Sequence, residues 1–237
     1  MNTFVYIFRT RTIVLIIRYL IAYIRTCIMY VAHTDYLINI IRICILCIVF
    51  QKGFYLRAKK REGGVSRKHL LWVFIFLLYL GAVYGVTGIG TIWDVQRFVT
   101  ASTSEFDRIY LVPFSSSEVM MPYVLNIIMT IPLGFLLPLI WKQFRTIKKV
   151  ALSGFLLSLC IELSQLFTQS RTTTTDDLIM NTLGAIIGYF IFKAFFHIIL
   201  KKNSNEKDEI TSSSVVIKHE AIFYLVLSFL GMFLFPI

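Results

Sequence analysis

The residues of this chain best suited to chemistry are seven polar side chains set in or beside apolar runs: Asn126, Glu162, Gln165, Arg171, Asp176, Asp177 and Asn181. Carboxylates can act as general acid or base, a guanidinium can clasp a phosphate or carboxylate, and carboxamides can bind sugar hydroxyls. Asp176 and Asp177 could also share a divalent ion, as paired carboxylates do. Each has a structural explanation to be weighed beside the chemical one. Acids at a helix start are favoured there by about 0.3–1 kcal/mol, and Thr174 followed by Asp177 fits a capping box. Arg171 can serve simply as their ion-pair partner. Glu162 has no end-of-helix role, so two readings stay open. One is an interhelical pair with Asn126, Asn181 or Arg171; the other is contact with a substrate.

Other chemistry is excluded by pattern. His33, His69, His197 and His219 are scattered without metal-ligand spacing. Cys27, Cys44, Cys47 and Cys160 all fall in apolar stretches, and the Cys44–Cys47 pair has no second pair to complete a zinc site. Nucleophile elbows, phosphate-cradling glycine loops and the paired-histidine zinc helix are absent from the sequence. No cofactor and no metal are expected.

The elements that must position these residues are membrane helices. The chain has 237 residues, 57% of them hydrophobic and only 16% charged, against roughly 45–50% and about 25% in soluble domains. The apolar residues form blocks at 70–92, 122–141, 150–167, 178–200 and 221–237, each near the ~20 residues that cross a bilayer as a helix. In lipid, backbone groups must satisfy one another, so the expected fold is all-α: a polytopic helical bundle. The net charge of +11 does not mark a nucleic-acid partner, because basic and acidic loops alternate. The 52–69 and 142–149 loops are basic, whereas 93–121 and 168–177 carry excess acid. That alternation places the basic loops in the cytoplasm. Asn126, Glu162, Asn181 and the Arg171 turn then lie at one depth near the outer face.

The first 51 residues repeat Arg11, Arg18 and Arg25 at intervals of seven. They fit two imperfect spans turning at His33–Asp35, or an amphipathic helix on the inner surface; two spans leave the N-terminus cytoplasmic. Residues 201–220 read as a cytoplasmic linker and 221–237 as a last helix.

Asn126 to Phe135 contains an N-x-x-x-x-x-P-L-G-F run, 161–167 an E-x-x-Q-x-F element, and 171–189 an R…D-D-x-x-x-N-x-x-G-x-x-x-G element, preceded by Val112, Pro113 and Phe114. In this order the motifs resemble the VanZ-like family over residues 78–195. The resemblance implies a four-helix core, here with added N- and C-terminal helices, in a bacterial cell membrane, and a link to teicoplanin resistance. Three functions follow as alternatives. One is a non-enzymatic protein that binds or shields a lipoglycopeptide or lipid-linked wall precursor among membrane lipids. The second is an enzyme acting on such a precursor through Glu162 with Asp176 or Asp177. The third is a lipid-carrier transporter, although the inverted repeats usual in transporters are absent. Pro132, Gly134, Gly184 and Gly188 are read as packing positions, the last two as a small-x-x-x-small pair.

Overall fold

The computed structural model describes residues 66–100, 109–114, 120–168, 171–197 and 219–234, with a few single positions before them. The expected N-terminal spans, most of the 52–69 loop and the 201–218 linker lie outside the described residues. Helix α1 covers Arg67–Thr87, capped by Ser66, whose hydroxyl accepts the Lys68 N–H at 3.2 Å. The apolar block expected to run to Ile92 breaks earlier. Gly88 adopts φ 62°, a left-handed conformation suited to glycine, and its N–H closes on the Tyr84 carbonyl. A short helix α2, Ile92–Thr100, then occupies part of the segment expected as an external loop. Thr91 starts it by bonding Asp94 through both its amide (2.8 Å) and its hydroxyl (2.6 Å).

Strand β1 (Ile109–Tyr110) leads to helix α3 (Met120–Ile140), a 3-10 turn (Lys142–Phe144) and helix α4 (Ile147–Gln165). Strand β2 (Thr173–Thr174), helix α5 (Thr175–Phe195) and helix α6 (Glu220–Leu234) follow. The strands form one short parallel pair, Ile109 with Thr173 and Tyr110 with Thr174. Three runs, Arg67–Thr100, Met120–Ile140 and Thr175–Phe195, are long and apolar enough to cross a membrane. Helix α4 is more polar, bearing Lys148, Lys149 and Glu162, and α6 is shorter.

Packing is closest between α3 and α5, where small residues bring the backbones together. A Cβ at Gly134 would overlap the Ala185 carbonyl, one at Gly184 the Ile127 carbonyl, and one at Gly188 the Ile131 carbonyl. Helix α4 meets α5 at Gly154, where an added Cβ would lie 2.7 Å from the Ala185 Cβ. Lipid tails are as apolar as leucine, so such close van der Waals fit, rather than water exclusion, holds membrane helices together. Helix α1 lays Val73, Phe76, Leu77 and Leu80 into the core.

End-to-end contacts fix the directions. Tyr123 near the start of α3 reaches Asp176 at the start of α5, and Gln165 at the end of α4 reaches Thr87 at the end of α1. Helices α1, α4 and α6 therefore run one way, α3 and α5 the other. The ends of α1 and α4 and the starts of α3 and α5 meet at one end, called here the polar end.

The opposite end carries a buried clasp. Glu220 Oε2 lies 2.8 Å from His69 Nε2 and accepts the Trp141 Nε1–H at 2.9 Å. The His69 and Trp141 rings meet edge-on at 6.3 Å. One carboxylate thus ties α6 to the start of α1 and the end of α3, aided by Tyr84 and Ser228 at 3.1 Å farther along.

Candidate functional site

At the polar end, Thr174 caps α5, its hydroxyl accepting the Asp177 N–H at 3.2 Å. This is half of the capping box that the spacing predicts. The Asp177 carboxylate turns instead to α3, where the Asn126 amide donates to its Oδ1. Asp176, only 2% exposed, uses both oxygens. Oδ1 accepts the Phe114 backbone N–H at 2.8 Å and Oδ2 the Tyr123 hydroxyl at 2.9 Å. The adjacent aspartates thus divide the labour: one joins α5 to α3, and the other joins both to the loop after β1.

Glu162, 4% exposed, accepts the Thr174 N–H at 3.0 Å through Oε2, and its carbonyl accepts the Thr173 hydroxyl at 3.4 Å. The partner thus includes the backbone of the β2 turn, beyond the side-chain partners expected for it. A carboxylate on an inserted helix is expensive, and this bond compensates by holding the edge of the two-stranded pair. Gln165 donates to the Thr87 carbonyl at 2.7 Å. Arg171, exposed, donates to the Val86 carbonyl at 3.3 Å, its guanidinium beside Gly88. The sequence-based pairing of Arg171 with the aspartates is therefore replaced by a bond to the end of α1, whose last carbonyls lack helical partners.

Asn181 lies farther in. Its Nδ2 donates to Ser158 Oγ at 2.9 Å, joining α5 to α4, while its buried Oδ1 has no hydrogen-bond partner among the described residues. The seven residues are thus all at or near the polar end, joined through separate partners: Asn126 to Asp177, Asp176 to Phe114 and Tyr123, Glu162 to Thr174, Asn181 to Ser158, and Gln165 and Arg171 to α1. Among the described residues, no three of His, Cys, Asp and Glu gather as a metal site.

Sequence reasoning missed several participants. Tyr123 stands three residues before Asn126, hence on the same helix face, and that spacing was the available signal. Ser164 was also missed; it accepts the Gly90 N–H at 3.0 Å and donates to the Ile161 carbonyl at 2.6 Å. The His69–Trp141–Glu220 clasp had no local signal, since its members are far apart in the chain.

The loop between β1 and α3 carries part of the exposed apolar surface of this end, together with Trp93, Val99 and Met120. Leu111, Val112 and Phe114 are 74%, 67% and 61% exposed. Phe114 takes φ 58°, a left-handed conformation that costs a non-glycine residue about 1–2 kcal/mol. The Asp176 carboxylate holds its amide there, and the Thr175 hydroxyl fastens the Leu111 carbonyl at 2.9 Å. The Phe114 ring meets Tyr123 edge-on at 6.1 Å.

Comparison with known proteins agrees with the motifs. The VanZ/LLP1 family model matches residues 76–199, just over half of the chain, spanning α1 from Phe76 through all of α5. No curated protein and no solved structure matches. The matched residues include the whole polar end and the close α3–α5 contact, and this chain belongs to the VanZ/LLP1 family.

Proposed function

We propose that this chain acts at a bacterial cell envelope in glycopeptide resistance of the teicoplanin type, by binding or shielding an amphipathic molecule at its polar end. The molecule is a lipoglycopeptide or a lipid-linked wall precursor, and no covalent step is required. On this reading the polar end faces outward and the clasp end faces the cytoplasm, as the alternation of charged loops indicates. The family supplies the link to resistance. The observation that carries the reading is the loop at Leu111, Val112 and Phe114, held out from the bundle by Asp176 and Thr175 at the end where Arg171 is also exposed. An apolar loop and an exposed guanidinium at the same end of the bundle suit a ligand with an acyl chain and an anionic headgroup.

The carboxylates favour binding over catalysis. Asp176 spends both oxygens on protein donors, Asp177 accepts from Asn126, and Glu162 holds the Thr174 amide. A general acid or base must instead reach a proton on the substrate.

The test is to express wild type, Phe114→Ser and Arg171→Ala in a susceptible bacterium at equal membrane levels. Wild type protects against teicoplanin more than against a glycopeptide without an acyl chain, and both variants lose most of that protection. Full protection by both variants would overturn the reading. Turnover of a labelled lipid-linked precursor by the purified protein would favour the enzyme.

A further inference from the structure

The clasp end borders a feature that the reading above does not use. Helices α4 and α6 run in the same direction and leave between them a groove of about 610 Å³, within the 300–1,000 Å³ range typical of ligand pockets. On α4, Leu152 and Leu156 line it; on α6, Ile222, Val226 and Leu230 do so. These residues recur at intervals of four, so each helix presents one continuous ridge to the groove. They remain 41–55% exposed. The basic lining residues, Lys149 and His219, both stand at helix starts, hence at one end.

Polarity along the groove is that of a lipid. From Lys149 to Cys160 a helix rises about 16 Å, roughly half of the 30 Å hydrocarbon core, the depth of one leaflet. The charge at the mouth is one-sided. Lys142 and Lys148 are exposed nearby, whereas Glu220, the acid adjoining His219, is 3% exposed and turned into the clasp with His69 and Trp141. A second copy of the chain would bring the same cationic mouth against this one, which opposes self-association there.

We infer that the groove between α4 and α6 binds an anionic phospholipid, its phosphate at Lys149 and His219 and one acyl chain along the facing ridges. The site is independent of the polar end. It gives the last helix, which lies outside the family match, a lipid-contacting role.

The test uses the full-length protein in nanodiscs of zwitterionic lipid, doped with phosphatidylglycerol or phosphatidylcholine carrying a photoreactive group on the acyl chain. Peptide mass spectrometry then locates the adducts. The expected result is labelling in residues 152–160 and 222–230, several-fold stronger with the glycerol headgroup. Lys149→Gln lowers it about fivefold, the effect of one basic residue at an anionic surface. Leu156→Trp together with Val226→Trp abolishes it. Should that double variant misfold, the exposed Lys149→Gln variant remains decisive. Equal labelling by both headgroups would mark ordinary surrounding lipid and overturn the inference. So would undiminished labelling of Lys149→Gln, or cross-links from the groove to another chain segment or a second copy.

Discussion

Asp176→Ala removes the acceptor of two hydrogen bonds, from the Phe114 amide and the Tyr123 hydroxyl, in a residue only 2% exposed. Two such bonds contribute about 1–3 kcal/mol net, and a polar group left unpaired adds roughly another 1 kcal/mol. The left-handed φ of Phe114 then has lost its restraint, so the loop relaxes outward. A total near 2–4 kcal/mol corresponds to a roughly 30- to 700-fold rise in the local opening constant. Because Asp176 tethers a loop at one end of the bundle, the opening is local rather than global. Amide hydrogen exchange of the detergent-solubilised protein measures it directly. Exchange in residues 110–114 accelerates by that factor, while the α3–α5 contact around Gly134 and Gly188 stays protected. Tyr123→Phe removes one bond and leaves the Phe114 amide paired, so it accelerates the same residues only about 2- to 12-fold. Exchange in Asp176→Ala within twofold of wild type refutes the tether. So does acceleration spread evenly over the helices, which would make Asp176 a general stability residue.

Other substitutions separate the remaining contacts. Gly188→Leu forces a side chain into the Ile131 carbonyl and destabilises α3–α5 by about 1–3 kcal/mol or more, seen as earlier thermal unfolding in detergent. Glu220→Ala leaves His69 and the Trp141 N–H without their shared partner; a loss of about 2–4 kcal/mol shows as proteolysis near residue 219 and an altered Trp141 fluorescence. Gly88→Ala places a Cβ 3.0 Å from the Arg171 guanidinium at a left-handed position, which costs about 1 kcal/mol and loosens the Arg171 turn in exchange measurements. Glu162→Gln keeps an acceptor for the Thr174 amide, so it retains the fold and most protection, whereas Glu162→Ala, measured in the same teicoplanin assay, loses both.

Much of this molecule was legible from composition and spacing. An apolar block near twenty residues long must become a helix in lipid, because its backbone has no other partner there. The four-residue spacing of Gly184 and Gly188 fixed a close-packing face, and Thr174 with Asp177 fixed a helix start. These are local rules, satisfied within one turn of one helix. Tertiary structure decided what local rules cannot reach. Gly88 ends α1 before the apolar run does, because its left-handed conformation turns the chain where the Arg171 guanidinium crowds Gly88 and the Ser164 carbonyl crowds Gly90. Which oxygen of Asp176 meets Phe114, and that Arg171 serves α1 instead of the aspartates, depend on how segments more than fifty residues apart are brought together. The clasp of His69, Trp141 and Glu220 shows this best. Each residue alone is unremarkable in the sequence, and only the packing of three helix ends brings one buried carboxylate within hydrogen-bonding distance of both His69 and Trp141.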